Sequence, residues 1–232
     1  MIIKGLQKTT LLDFPGKVAC TVFTGGCNFR CPFCHNASLV THIDTEKTIS
    51  KEEIFSYLSR RKGILDGVGI TGGEPLLQKD LADFCRKIHE MGLLVKLDTN
   101  GSFPERLRLL MEEGLIDYVA MDIKNCKEAY AETCGLKDMS QELKKIEESI
   151  RLIMSSGIPY EFRTTVVREL HSKERIEALA KEISGAERFF LQTFTDSGDL
   201  IGEGLSAYSA EEMEALLNLV KPYIPTAELR GI

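Results

Sequence analysis

The stretch Thr24-Gly25-Gly26-Cys27-Asn28-Phe29-Arg30-Cys31-Pro32-Phe33-Cys34-His35-Asn36 places three cysteines on one short loop. They are four and three residues apart, follow a double glycine and are interrupted by a proline, a pattern that can turn three thiolates inward. A four-iron cluster held by three thiolates keeps one iron open, and that iron can chelate the amino and carboxylate groups of a substrate. The loop therefore predicts a 4Fe–4S cluster held by Cys27, Cys31 and Cys34.

Two other uses of these cysteines fit the sequence less well. A Cys₃His zinc site would include His35, but adjacent residues such as Cys34 and His35 seldom converge on one tetrahedral ion, and no second Cys or His pair lies at finger distance. Disulfides are disfavoured because the chain has seven cysteines, an odd number, and no secretory signal. A zinc-stabilised interaction module is kept as the alternative outside the enzymes.

The composition is that of an ordinary globular chain. Its 232 residues, of which 43% are hydrophobic and 28% charged, suffice for one good core. No long apolar run is present, which argues against a membrane span or a signal peptide and favours a cytoplasmic protein. The net charge of −6 argues against a nucleic-acid partner.

Short β-branched and aromatic runs alternate with helical segments, which predicts βα units around a parallel sheet. The six predicted strands cover residues 17–23, 67–70, 93–97, 118–121, 160–167 and 188–194. Residues 1–16 are predicted as a loop or short hairpin. Because six units fall short of the eight in a closed barrel, we expect an α/β fold, a partial and open (β/α)₆ TIM-like barrel. It forms a single domain, 1–232, with a core at about 17–195 and a C-terminal helix and short strand at about 205–232.

Polar residues follow the predicted strands, at the edge where parallel strands build a site. Thr71-Gly72-Gly73-Glu74-Pro75 follows the second strand, and Asp98 and Thr99 follow the third. Asp122-Ile123-Lys124 follows the fourth strand. The carboxylates of Asp98 and Asp122 would repel each other unless a cation or Lys124 lies between them. On the fifth strand, the guanidinium of Arg163 suits a fork-like contact with a carboxylate, and a structural ion pair is its alternative role.

The cysteine loop, with Phe33 directly before its third cysteine, and the Gly-Gly-Glu-Pro segment resemble the radical S-adenosylmethionine (SAM) superfamily. Over almost its full length the chain resembles the anaerobic ribonucleoside-triphosphate reductase activating proteins, which are related to pyruvate formate-lyase activating enzyme. The stretches that carry this likeness are Thr10-Leu11-Leu12-Asp13-Phe14-Pro15-Gly16-Lys17, Cys34-His35-Asn36, Asp98-Thr99-Asn100-Gly101, Asp122-Ile123-Lys124, Phe162-Arg163-Thr164-Thr165 and Leu229-Arg230-Gly231.

The resemblance implies roles in binding SAM. Phe33 would lie against the adenine, with backbone groups of Phe33 and His35 reading the adenine edge. Core packing of Phe33 and a solvent-facing His35 are the alternatives. Gly72 and Gly73 would meet the amino group of the methionine moiety, and Glu74 would brace their loop.

The strand-end carboxylates receive a role in the same way. Asp98, Thr99 and Asp122 would hold a monovalent cation and, with Lys124, the SAM carboxylate; a salt-bridged cap on the sheet end is the alternative. The full predicted cofactor-binding set is Phe33, Cys34, His35, Gly72, Gly73, Glu74, Asp98, Asp122, Ile123, Lys124 and Arg163. Some relatives place a histidine after the sixth strand, where this chain has Gln192 as the one weak candidate.

The implied reaction begins with reduction of the cluster by flavodoxin or ferredoxin. Cleavage of SAM gives a 5′-deoxyadenosyl radical, which takes a hydrogen from a glycine Cα of a partner glycyl radical enzyme, here anaerobic ribonucleotide reductase. No catalytic residue is needed beyond the cluster and SAM, which fits the lack of a convincing Ser/His/Asp set. The rival enzyme is a radical SAM catalyst for a small molecule, similar to 7-carboxy-7-deazaguanine synthase, and the Asp98 and Asp122 segments favour the activating enzyme.

The remaining cysteines do not indicate a second cluster. Some activating enzymes carry extra cysteines between the first motif and the Gly-Gly-Glu segment, but this chain has no cysteine between positions 35 and 84. Cys20 and Cys85 are interpreted as small buried hydrophobes. No role is predicted for Cys126 and Cys134.

Overall fold

The computed structural model describes residues 1–41 and 47–231. The strands are β1 (Ile3–Thr10), β2 (Ala19–Thr24), β3 (Gly67–Gly72), β4 (Leu94–Thr99), β5 (Tyr118–Asp122), β6 (Tyr160–Val166), β7 (Phe189–Thr193) and β8 (Glu228–Arg230). The helices are α1 (Ala37–Thr41), α2 (Lys51–Arg60), α3 (Leu81–Glu90), α4 (Pro104–Glu112), α5 (Tyr130–Thr133), α6 (Ser140–Ser155), α7 (Lys173–Glu182) and α8 (Ala210–Val220). Two 3₁₀ turns lie at Pro75–Leu77 and Lys127–Ala129.

The predicted fold class is confirmed. The strands keep the order of the chain in an open sheet, and the six predicted strands correspond to β2 through β7. Helices α2 and α8 begin at capping boxes, in which Ser50 pairs with Glu53 and Ser209 with Glu212. Each box satisfies backbone N–H groups that the first helical turn leaves unpaired.

The N-terminal segment is more regular than expected. Ile3–Thr10 forms an eight-residue strand that pairs antiparallel with β2, so residues 1–16 are neither a loop nor a hairpin closed within that segment, and the expectation was wrong. Its inner residues are half-buried or exposed and lack a clear period of two, because β1 lies at an edge of the sheet. The hydrophobic pattern was therefore weak there.

The described residues form two compact units. The first contains Met1–Asn28, Ser38–Thr99 and Glu105–Ala120. Its strands β2, β3 and β4 pair in parallel, with Val22 opposite Ile70 and Val68 opposite Val95. All four of these side chains are fully buried, which explains why these strands appear in the sequence as apolar runs.

The second unit contains Phe29–Ala37, Asn100–Pro104 and the chain from Met121 onward. Its strands β6, β7 and β8 pair in parallel, and α7 and α8 pack on each other. Strand β5 contributes its first three residues to the first unit and its last two to the second. The predicted single domain stays a prediction.

No helix in the part of the chain that the structure describes is both long enough and apolar enough to cross a membrane.

Candidate cofactor site

In the first unit, the Gly-Gly-Glu segment is packed backbone to backbone against the start of the cysteine loop. The N–H of Gly73 donates to the carbonyl of Thr24 (2.9 Å), and the N–H of Glu74 donates to the carbonyl of Gly26 (2.7 Å). A Cβ on Gly73 would lie 1.9 Å from the carbonyl oxygen of Gly26. Gly72 has a φ of +112°, which side chains rarely tolerate. The two glycines are therefore required by the close approach of these two loops.

Glu74 is fully buried and fastens this segment to its neighbours. Its Oε1 accepts hydrogen bonds from the N–H of Leu76 (3.0 Å) and from the hydroxyl of Thr99 (2.9 Å). Nearby, the Gln78 amide donates to the carbonyl of Gly25 (2.9 Å). Thr99 therefore contacts the Gly-Gly-Glu loop, and Glu74 links the end of β3 to the end of β4.

Asp98 forms an ion pair with Lys96, which sequence analysis missed. The two residues lie two positions apart on β4 and so point to the same face of the sheet. The Lys96 side chain is only 3% exposed, and its ammonium contacts Oδ1 of Asp98. A lysine between the apolar residues Val95 and Leu97 was the available signal, because a buried ammonium needs a partner.

Cys31 and Cys34 of the cysteine loop lie in the second unit, whereas Cys27 belongs to the first unit. The N–H of Cys34 donates to the carbonyl of Cys31 (3.1 Å), which closes a turn around Pro32. The N–H of Arg30 donates to the carbonyl of Cys134 (2.9 Å), and the N–H of Gly202 donates to the carbonyl of Pro32 (2.8 Å). Two distant segments thus hold this part of the loop.

The two thiols differ in acidity. A hydrogen bond with the Cys134 side chain lowers the pKa of Cys31 against the effect of its burial, and the charge of Lys124 lowers it further. Burial raises the pKa of Cys34, although a backbone hydrogen bond at Asn36 and the charge of Lys124 oppose this. Since the thiolate is the metal-binding form, Lys124 favours metal binding at both positions.

Asp122 lies between two cations. Its Oδ1 accepts a hydrogen bond from Nε of Arg163 (2.9 Å), and its Oδ2 lies 3.3 Å from Nζ of Lys124. Burial alone would raise the pKa of Asp122, but the charges and hydrogen bonds of Arg163 and Lys124 lower it to about 2. Buried Ile123 fixes this segment through its backbone, because its N–H donates to the carbonyl of Arg163 (2.8 Å). Arg163 thus forms a structural ion pair, which was the alternative that the sequence analysis gave for it.

Phe33 is buried and contacts a histidine that sequence analysis did not identify. Its ring meets the ring of His171 edge to face at 6.2 Å, and Nζ of Lys124 lies 6.0 Å from the Phe33 centroid. His171 is fully buried; its Nδ1 accepts from the N–H of Val167 (3.0 Å), and its Nε2 lies 2.7 Å from the carbonyl of Lys124. His171 therefore holds Phe33 and Lys124 together.

His35 is exposed and meets the ring of Phe194 edge to face at 5.8 Å. Gln192 is half-buried and lies opposite Thr165 on one side and Arg230 on the other. Among residues 1–41 and 47–231, no group of three His, Cys, Asp or Glu side chains could hold a metal ion. The predicted ligand and cofactor contacts stay predictions.

Residues 21–196 match the family model described as the Radical SAM superfamily, and this match covers more than half of the chain. The chain belongs to the radical SAM superfamily. Members of this family use a 4Fe–4S cluster and SAM, which confirms the two main cofactors predicted from the sequence.

Two relatives of the chain are described as activating enzymes, and one solved structure shares its fold. The chain is 33% identical to a Methanocaldococcus jannaschii protein described as a "putative glycyl-radical enzyme activating enzyme", over 100% of this chain and 96% of that one. It is 28% identical to the pyruvate formate-lyase-activating enzyme of Clostridium pasteurianum, over 92% and 91% of the two chains. The structure of Streptococcus suis SuiB bound to SAM shares the fold, with a TM-score of 0.70, 16% identity and coverage of 90% of this chain and 49% of that chain.

The thiols of the cysteine loop have the donor chemistry of an iron–sulfur cluster. All seven cysteines lie in the described ranges and none of them forms a disulfide there. Lys124 supplies the positive charge that favours thiolates at Cys31 and Cys34. Thiolate ligands are the donors that iron–sulfur clusters require.

The packing of Gly73 on Gly26 predicts a large effect of a single methyl group. We expect Gly73→Ala to lower the free energy of unfolding by about 3 kcal/mol, because the clash is with backbone and not with a flexible side chain. Urea denaturation followed by circular dichroism would measure this. Gly69→Ala on β3 is the control, since its nearest neighbours lie at 3.5 Å or more, and its change should stay below about 1 kcal/mol. Equal losses in both variants would contradict the packing argument.

The lowered pKa of Asp122 predicts a pH-dependent contribution to stability. An unfolded aspartate has a pKa of about 3.9, so the stabilisation is complete above about pH 4 and is lost as the pH falls toward 2. We expect the difference in unfolding free energy between the wild-type apoprotein and Asp122→Asn to shrink over this interval. Urea titrations at several pH values would show it, and a difference independent of pH would refute the assignment.

The contacts of His171 predict that it stabilises the second unit. His171→Phe fills a similar space but removes the hydrogen bonds to Lys124 and Val167, so we expect a loss of about 1–3 kcal/mol. His89→Phe is the control, because His89 is half-exposed and pairs only with a half-exposed Asp117 among the ion pairs of the described residues. Chemical denaturation of both apoproteins would compare them. A greater loss at His89 would be the contrary result.

Proposed function

We propose that this chain activates a glycyl radical enzyme, and that this partner is the anaerobic ribonucleotide reductase. The observation that carries the activating role is the likeness over the whole chain to an activating enzyme, with 96% of that relative covered. The choice of ribonucleotide reductase as the partner rests on the sequence resemblance. The GTP 3′,8-cyclase of Helicobacter pylori matches over only 67% of this chain, and the chain spans about half of that relative. The activating enzymes thus account for more of the sequence.

In this proposal Cys27, Cys31 and Cys34 hold the cluster. When bound, the cluster and SAM supply the electron and the 5′-deoxyadenosyl radical that takes a hydrogen from a glycine Cα of the partner. Lys124 raises the thiolate fraction of Cys31 and Cys34. Flavodoxin or ferredoxin is the proposed electron donor.

The methionine carboxylate of SAM is assigned to the second unit's charged group. Lys124 and Arg163 both lie against Asp122, so this part of the second unit presents two cationic side chains that can attract an anion. Arg163 donates to Asp122 through Nε, and its guanidinium carries four further N–H donors besides. The alternative roles of Arg163 are therefore compatible.

The remaining SAM contacts follow the same assignment. Phe33, held edge to face by His171, would carry the adenine, and backbone groups of Phe33 and His35 would read its edge. Gly72 and Gly73 would face the amino group, with Glu74 bracing them through Leu76 and Thr99.

The proposal also includes a monovalent cation at Asp98, Thr99 and Asp122. Lys96 and Lys124 already lie against the two carboxylates. An added cation would have to share these carboxylates with two ammonium groups. Titration of SAM binding with KCl at constant ionic strength would test this part separately.

Iron binding tests the ligand assignment. We expect Cys27→Ser, Cys31→Ser and Cys34→Ser each to lose most of the iron and the broad visible absorbance after anaerobic reconstitution, because each removes one of three thiolates. Cys85→Ala is the matched control; Cys85 is fully buried, and burial raises its pKa to about 12, so it should not act as a ligand. Full iron content in the three serine variants, or zinc in place of iron in a colourless wild type, would reject the assignment.

Electron paramagnetic resonance tests the partner. The reduced protein with SAM should produce a glycyl radical signal when anaerobic ribonucleotide reductase is added, and a weaker signal or none with a pyruvate formate-lyase. The reverse preference would replace the partner and keep the reaction. Formation of 5′-deoxyadenosine only with a small substrate, such as the 7-deazaguanine precursor, would instead support the rival enzyme.

A further inference from the structure

A second carboxylate lies beside the group formed by Asp122, Lys124 and Arg163. Glu161, on β6, is 1% exposed and forms a bidentate ion pair with Arg230, in which both oxygen–nitrogen distances are 2.8 Å. Bidentate pairs of this kind are among the strongest polar contacts in proteins. A buried carboxylate needs such a partner, because its desolvation is costly.

Arg230 reaches Glu161 across an intervening strand. Strand β8 pairs with β7, and β7 pairs with β6, so Arg230 and Glu161 are two strands apart. The guanidinium of Arg230 lies over the ring of Phe190 on β7, with its carbon 3.4 Å from the centroid. Phe190 pairs in register with Arg163, so the path of Arg230 passes beside that residue.

Glu161 also lies near Arg163. Oε1 of Glu161 is 3.9 Å from a terminal nitrogen of Arg163, beyond hydrogen-bond distance, while Nε of Arg163 donates to Asp122 at 2.9 Å. The two carboxylates therefore compete for one guanidinium. Arg230 decides the competition because it holds both oxygens of Glu161.

We propose that Arg230 is a positioning residue for Arg163, and that the C-terminal strand thereby sets the affinity for the carboxylate of SAM. By occupying Glu161, Arg230 leaves Arg163 directed toward Asp122. Without Arg230, the buried carboxylate of Glu161 draws the Arg163 guanidinium into its own bidentate contact. This inference rests on the proposed role of Arg163 in binding SAM.

The test is SAM affinity, measured by isothermal titration calorimetry with the anaerobically reconstituted full-length chain. We expect Arg230→Gln to raise the dissociation constant about tenfold and Arg230→Lys, which keeps the charge but not the fork, to raise it about threefold. The double variant Glu161→Gln with Arg230→Gln should return to within about threefold of wild type, because it removes the carboxylate that competes for Arg163. Such a return separates positioning from a general loss of structure.

A matched control is available in the same unit. Arg168 also forms a bidentate pair, with Glu212, and lies over an aromatic ring, that of Tyr208 at 4.4 Å, but its partner is 43% exposed. Arg168→Gln should leave the SAM affinity within twofold of wild type. A change in Arg168→Gln as large as in Arg230→Gln would overturn the inference.

Further outcomes distinguish the positioning role of Arg230 from the proposed role of Arg163 in SAM binding. If Arg163→Gln weakens SAM binding but Arg230→Gln does not, or if Glu161→Gln fails to restore affinity in the double variant, Arg230 is not a positioning residue. If Arg163→Gln itself leaves SAM affinity unchanged, the assignment of Arg163 within the proposed function fails. Far-ultraviolet circular dichroism and iron content of each variant show whether it has folded and taken up the cluster.

Discussion

The contact between Gly73 and Gly26 sets the geometry of the first unit's part of the site. Two loops that follow neighbouring strands, β2 and β3, meet with their backbones so close that no side chain fits between them. Because the N–H groups of Gly73 and Glu74 both donate across this contact, the start of the cysteine loop is fixed relative to the end of β3. Glu74 then extends the same bond network to Thr99 on β4. Glycines therefore position the cysteine loop through packing, before any ligand is considered.

Burial determines the partners in the second unit. Glu161 is almost fully buried and Asp122 is half-buried, so each needs a cation. Strands β8 and β6 supply Arg230 and Arg163, and the segment after β5 supplies Lys124. Such pairs are weak evidence for stability, since desolvation offsets much of the attraction. Their value lies in orientation, because a guanidinium held by one carboxylate has a fixed direction toward the next. The structural role of Arg163 and its proposed role in ligand binding thus depend on each other.

The elements of the fold that could be predicted were those with a local sequence signal. Strands β2 to β7 appear as apolar runs, and Ser50 and Ser209 mark helix starts through capping boxes. The pairing of β1 could not be seen, because its edge position removes the alternation. The site residues missed by sequence analysis act through distant contacts: His171 meets Lys124 across 47 positions, and Arg230 meets Glu161 across 69. No periodicity reports such contacts.

A partial signal existed in the charged residues placed inside buried strands. Lys96 and Glu161 both interrupt apolar runs, which is costly unless a partner is present. In β4 the partner is Asp98, two residues ahead; at the end of β5, Asp122 likewise has Lys124 two residues ahead. Repulsion between Asp98 and Asp122 was the physical reason to expect a metal cation. Since each carboxylate carries its own lysine, repulsion no longer supplies that reason, and the cation depends on the likeness to relatives alone.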